Sequence, residues 1–176
     1  MQRIVIVGAT GAGKTTLANK LSSQLKCPVV DLDEYYWQPG WMPNDTEVFR
    51  DKTAQAISDD SWVSAGNYRA VRDILWNNAD TVIWLDYSFW LTFKRLAQRT
   101  FLRLRDKNLV CNGNRESFRQ FFSKDNIILF LMTSYADKRR QYRQIFAVPG
   151  NYPTIKNFIH LKSPQEAEKF INGLQA

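Results

Sequence analysis

The chain has 176 residues, 44% of them apolar and 14% aromatic, a composition that fits one compact domain and excludes a disordered or low-complexity protein. A net charge of +7 favours anionic partners, whether nucleotides, phosphorylated compounds, nucleic acid or an acidic membrane surface, without choosing among them. Two cysteines, Cys27 and Cys111, and a single histidine, His160, rule out a Cys/His metal cluster and a disulfide framework.

In chain order, Met1-Gln2-Arg3 runs straight into Ile4-Val5-Ile6-Val7, an apolar run expected of a strand buried on both faces, so no signal peptide is expected. A glycine-rich segment follows, and then Leu17, Ala18, Leu21 and Leu25 mark one helical face. Pro28 ends that helix, and Val29-Val30-Asp31 reads as a second strand. Pro39-Gly40 and Pro43 predict a loop, after which Asn44 or Asp45 caps a helix reaching about Ile57.

Residues 62–65 and 81–86 read as the third and fourth strands, with a short helix near 71–76 between them. Two helices are predicted over 89–104 and 116–146, joined by a loop at 108–114. A fifth strand spans 158–161. Ser163-Pro164-Gln165-Glu166 then supplies a cap, a first-turn proline and a capping-box glutamate for the last helix. Alternating strands and helices predict an α/β fold, a parallel sheet covered on both faces, in one domain over 1–176. The longest apolar run, 127–132, is far shorter than the ~20 residues of a membrane span, so a cytoplasmic protein, monomeric by default, is expected.

Gly8-Ala9-Thr10-Gly11-Ala12-Gly13-Lys14-Thr15 fits the phosphate-loop pattern G-x-x-x-x-G-K-[ST] at every fixed position, between a buried strand and an amphipathic helix. Glycines allow consecutive N–H groups to point at phosphate oxygens, and the helix N-terminus adds partial positive charge. Lys14 is placed for the β- and γ-phosphates, the Thr15 hydroxyl for Mg²⁺, and Thr16 completes the nucleotide-contacting run. ATP and Mg²⁺ are the expected cofactors.

With this loop so near the start of a short chain, the sequence resembles the adenylate-kinase-like small-molecule kinases, and within them the branch of DNA topology modulation proteins. The resemblance is carried by Asp33 followed by Trp37-x-Pro39-Gly40-Trp41, by Gly66-Asn67-Tyr68, and by Thr81-Val82-Ile83-Trp84-Leu85-Asp86. It implies a P-loop NTPase fold with a five-stranded parallel sheet, an acceptor-binding flap near 34–58 and a basic helical lid near 94–125. Ala65-Gly66-Asn67-Tyr68-Arg69 stands where adenylate kinases carry Asp-Gly-Phe-Pro-Arg. The resemblance therefore makes Arg69, with Gly66, Asn67 and Tyr68, a candidate grip on the acceptor, while Ala65 in place of the acid argues against AMP.

Asp31 and Asp33, two residues apart on an extended chain, are expected to point the same way at the sheet edge. Asp33 is assigned to the acceptor hydroxyl and Asp31, with Thr15, to the Mg²⁺ shell, an arrangement similar to that of shikimate-type kinases. The alternative is that both merely cap a strand end. Trp37, among Tyr35, Tyr36 and Trp41, walls an acceptor pocket or else anchors the flap to the core. Arg95, Arg99 and Arg103 form one helical stripe, with Arg99 and Arg103 leading as catalytic lid residues, and Arg139 and Arg140 as further candidates. Asp86 and His160 are read as structural.

The function expected is phosphoryl transfer from ATP to a small-molecule acceptor that the sequence does not identify. The alternative is an ATP-dependent nucleic-acid-binding protein, which the basic charge fits but no recognisable DNA- or RNA-binding motif supports.

Overall fold

The computed structural model describes residues 1–106, 109–115 and 127–174. Five strands form one parallel sheet: β1 (Arg3–Gly8), β2 (Val29–Asp31), β5 (Trp62–Ala65), β6 (Thr81–Leu85) and β9 (Asn157–Leu161), in the order β2-β5-β1-β6-β9. In register, Ile4 lies between Val63 and Thr81, and Ile6 between Ala65 and Ile83. The unbroken apolar runs of β1, β5 and β6 follow from this central position, because each strand buries alternate side chains on opposite faces.

One face packs Ile4, Ile6, Val63, Ile83 and Leu85 against α1 (Lys14–Leu25) and α7 (Pro164–Gly173) through Leu17, Leu21, Ala167 and Ile171. The other packs Val5, Val7, Val30, Val82 and Trp84 beneath α3 (Thr46–Ala56), α4 (Arg72–Asn78) and α6 (Ile127–Ala147), with Phe49, Leu75, Trp76 and Tyr142 as the large buried residues. Expected caps appear at α3, where the Asp45 carboxylate accepts from the N–H of Glu47 at 2.9 Å, and at α7, where Ser163 Oγ accepts from the N–H of Glu166 at 3.2 Å. The Glu166 carboxylate reaches back one residue further than a capping box requires, to the N–H of Lys162 at 2.7 Å.

Three expectations need correction. The segment read as a loop around Pro39-Gly40 holds a small hairpin, β3 (Trp37–Gln38) with β4 (Met42–Pro43). A second hairpin, β7 (Leu109–Val110) with β8 (Asn114–Arg115), occupies the other predicted loop. Asn112 and Gly113 turn it with φ of 60° and 79°, which Asn-Gly adopts readily. The chain also does not stay extended past Asp31: helix α2 (Leu32–Tyr36) starts at once, because the Asp31 side chain accepts from the N–H of Asp33 at 3.1 Å and caps it. Helix α5 (Phe89–Asp106) runs slightly longer than predicted, and α6 accounts for the second half of the predicted 116–146 helix. The first half of that helix, and with it part of the expected lid, lies outside the described residues.

Candidate phosphoryl-transfer site

The phosphate loop leaves the C-terminal end of β1, the middle strand, and turns into α1. Its tight course is imposed from outside. A Cβ on Gly11, whose φ is +85°, would stand 2.9 Å from both the Thr92 carbonyl oxygen and Leu96 Cβ of α5. Gly13 precedes α1 with no side-chain cap, leaving first-turn N–H groups for an anion. Ala9, Thr10 and Ala12 complete the arch, with Ala12 N donating to the Ala9 carbonyl at 3.1 Å. Lys14 Nζ donates to the carbonyls of Gly8 and Ala9, each at 3.2 Å, so the ammonium rests against the loop. Burial, reinforced by the Lys138 and Arg99 charges, takes the Lys14 amine down to about 8 against the opposing pull of Asp33 and Asp31.

Thr15 Oγ1 donates to Asp31 Oδ2 at 3.1 Å, which brings the two residues assigned to the metal together. The other oxygen of Asp31 caps α2, which is the capping role given above as the alternative. Burial, then the neighbouring Asp33 charge, raises the Asp31 carboxyl above its usual range. A hydroxyl and a carboxylate at the lip of the phosphate loop are hard oxygen donors, and with the open N–H groups of the loop they suit a Mg²⁺-bound nucleotide. Thr16 is exposed on the first turn of α1.

Asp33 is exposed, and its Oδ1 accepts the Tyr68 hydroxyl at 2.6 Å. Burial and the Asp33 charge hold the Tyr68 phenol above its ordinary range, so it is a neutral donor. Gly66 brings the backbone hard against α2: a Cβ there would lie 2.7 Å from Leu32 Cδ1. Asn67, expected on the acceptor side, instead clasps the loop. Its Oδ1 accepts from Gly8 N at 3.3 Å and from the Tyr142 hydroxyl at 3.1 Å, while its Nδ2 donates to the Gly8 carbonyl. Arg69 opens a short 3₁₀ turn, exposed, with its charge felt at Lys138 and Tyr142.

Lys138 is the residue that the sequence reading missed. It projects from α6 toward Asp33, whose charge opposes the lowering of its amine by burial and by Arg69. It also stands close enough to Lys14 to depress that amine in turn. Its Nζ lies 4.3 Å from the centre of the Phe130 ring. Arg139, the sequence candidate beside it, faces elsewhere: its Nε donates to Asp86 Oδ1 at 2.6 Å, and His160 Nε2 meets Asp86 Oδ2 at 3.0 Å. Asp86 therefore has a structural use, although Ser88 rather than Asp86 caps α5. Arg140 is exposed beside Asp137.

On α5, Arg95 lies over the Tyr87 ring at 5.6 Å and beside Gly13, and Arg99 is near enough to act on Lys14. Arg103 faces Cys111, whose thiol burial and the charges of Asp33 and Asp31 push up to about 11. The stripe therefore spans from the phosphate loop to the neighbourhood of Cys111, as its spacing of four predicts.

The flap and the lid hairpin meet above the site. Trp37 packs edge-on against Tyr36 and Trp41, and Tyr36 continues onto Phe49 and Tyr68. Tyr36 anchors the flap to the core, while Trp37 and Trp41 stay partly open. Trp41 donates its N–H to Asn114 Oδ1 at 2.8 Å and its ring N–H to the Arg115 carbonyl at 3.0 Å. Asn112 Nδ2 donates to the carbonyls of Glu34 and Trp37 at 2.6 and 2.7 Å, and Asn114 Nδ2 to that of Gln38 at 2.9 Å.

Comparison with known proteins agrees with this geometry. The family model described as shikimate kinase matches residues 10–147. The fold is shared with shikimate kinase from Bacteroides thetaiotaomicron, at 17% identity over 99% of this chain and 96% of that one, with a TM-score of 0.54. It is shared as well with shikimate kinase from Acinetobacter baumannii in complex with shikimate, at 18% identity over 99% and 91%, with a TM-score of 0.55. A gluconokinase from Sinorhizobium meliloti aligns at 14% identity over 98% and 93%, with a TM-score of 0.51. No curated protein matches by sequence. A phosphate loop on the central strand, an aspartate pair beside it and a family match over most of the chain make this a P-loop kinase for a small molecule, and the chain belongs to the shikimate kinase family.

Proposed function

We propose that the protein moves the γ-phosphate of Mg²⁺-bound ATP onto a hydroxyl group of a small hydroxylated acid. The observation that carries this reading is the Asp33 carboxylate, held by Tyr68 at 2.6 Å within the field of Lys14 and Lys138. Tyr68 occupies one carboxylate oxygen and leaves the other for an acceptor hydroxyl. Asp33 takes the proton as the acceptor oxygen bonds to phosphorus and the bond to the bridging oxygen breaks, releasing ADP. Lys14, with Arg99 behind it, neutralises charge on the transferring group, and Arg103 lies toward the acceptor. Thr15 and Asp31 would hold Mg²⁺, which would supply charge neutralisation to the nucleotide. Arg69 and Lys138 suit the anionic end of the acceptor, and Trp37, with Trp41, the body. One structural neighbour is a shikimate kinase in complex with shikimate, a hydroxylated acid, and another is a gluconokinase, in keeping with that charge.

ADP release measured across hydroxylated acids, uncharged polyols and nucleosides tests the proposal. Stimulation of at least about tenfold by an acid, and not by its uncharged counterpart, is expected from the loss of a charged hydrogen bond. Preference for an uncharged polyol or a nucleoside would overturn the acceptor class.

A second reading, ATP-dependent nucleic-acid binding of the kind the DNA topology modulation resemblance implies, draws on the net charge of +7 and on exposed cations such as Lys94 and Arg140. Duplex affinity falling steeply with salt, together with no stimulating acceptor, would favour it.

A further inference from the structure

Beyond the end of β6 and β9 lies a cavity of about 500 Å³ whose lining includes Asp86, Ser88, Arg139, Arg143, His160 and Lys162. Its volume falls in the range that takes a small organic ligand. It opens on the sheet face carrying Trp84 and Tyr142, since His160 stacks on Trp84 at 4.2 Å, whereas α1 and the phosphate loop's helix face belong to the opposite side. The reading of the phosphoryl-transfer site uses none of these residues.

The walls are held in place before any ligand arrives. Asp86, its side chain 5% exposed, fixes Arg139 through both guanidinium contacts, at 2.6 and 3.3 Å, and orients the His160 ring. Tyr135 is pinned by its hydroxyl, which donates to the Tyr87 carbonyl at 2.8 Å, and Phe89 meets it edge-on at 5.4 Å. The single carboxylate is already matched by Arg139. Arg143 and Lys162 therefore remain as surplus positive charge, neither side chain having an ion-pair partner among the described residues. A planar guanidinium, an ammonium and an aromatic wall together fit a doubly charged head on a flat organic body.

We propose that this cavity binds a phosphate ester with a flat or apolar body, at a site separate from the phosphate loop, and that it communicates with that loop through α6. Arg139 on the cavity side and Lys138 on the Asp33 side are adjacent on this one helix, so a ligand that shifts the turn acts on both.

Because the chain has one histidine, the His160 imidazole gives an unambiguous ¹H–¹⁵N reporter. Phenyl phosphate is titrated into the full chain with saturating Mg²⁺–ADP present, beside inorganic phosphate and phenol. Phenyl phosphate is expected to move the imidazole signals with a Kd below about 1 mM, with weaker shifts from inorganic phosphate and none from phenol. The double variant Arg143→Gln/Lys162→Gln, checked for an unchanged melting temperature, is expected to weaken binding by about tenfold or more. Isothermal titration of ADP with and without phenyl phosphate is expected to show a Kd change of about fivefold, absent in the double variant. Displacement of the probe by ADP, wild-type affinity in the variant, or no imidazole shift up to about 10 mM would each overturn the site. Binding without any change in ADP affinity would overturn the communication.

Discussion

The two halves of the phosphoryl-transfer site are built in different ways. The nucleotide half is main chain, written in eight consecutive residues and braced by a strand behind and helices on either side. The acceptor half proposed above is side chain, gathered from α2, the turn after β5, α6 and two hairpins that lie far apart in sequence. A main-chain site tolerates substitution except at its fixed glycines and its lysine, whereas a side-chain site can be retuned one residue at a time. Affinity for the triphosphate should therefore be general to such loops, and acceptor choice particular to this chain.

The sharpest way to break that division is Lys14→Ala. The ammonium sits on the loop carbonyls, and its loss removes the cation nearest the transferring phosphate. A fall in kcat of about 10³-fold is expected, at the upper end of what one electrostatic contact supplies. Asp33→Asn should lower kcat by about 10²-fold while leaving the KM for ATP within a factor of about two, since the proton acceptor is removed and the phosphate cradle is not. Loss of ATP affinity in Asp33→Asn would show that the halves are not separable. Tyr68→Phe acts through the orientation of Asp33 and should lower kcat by about tenfold, with the KM for ATP little changed.

The nucleotide half was legible from sequence because a local rule dictates it: strand, glycines, lysine, helix. The sheet was legible for the same reason, as each buried strand carries its own apolar run. What escaped depends on distance or on small turns. Lys138 stands in a helix crowded with Arg139, Arg140 and Arg143, and nothing local says which cation faces Asp33. Only the helical rotation set by burying Tyr142 and Leu131 decides it. The same rotation sends Arg139 to Asp86. Asp33 was assigned a place on an extended strand, yet Asp31 caps a helix immediately. The β7–β8 hairpin did have a signal, Asn112-Gly113, overlooked because its flanking strands are only two residues long.

That hairpin permits a smaller test of the same comparison. Asn114 is buried and joins lid to flap through Trp41 and Gln38, so Asn114→Ala removes the latch without touching the phosphate loop. The acceptor KM should rise by about five- to tenfold, corresponding to one or two hydrogen bonds, with the KM for ATP little changed. Equal rises in both would mean that the latch holds the whole lid rather than the acceptor half.

The smallest expected effect is a fraction of a proton. In the free protein Lys14 titrates at about 8, mainly because its amine is buried and has Lys138 and Arg99 for neighbours. At a pH somewhat above 8 most molecules therefore carry it neutral. A bound triphosphate favours the charged form and raises the amine back toward its ordinary range, so binding must take up a proton. Titrating ADP or ATP calorimetrically at a pH near 8.5, in buffers of different ionisation enthalpy, should show net uptake. The uptake should vanish well below pH 8, where the amine is already protonated, and should be missing in Lys14→Ala wherever residual binding can be measured. Proton release instead, or uptake that persists in the variant, would place the titrating group elsewhere and leave Lys14 charged throughout.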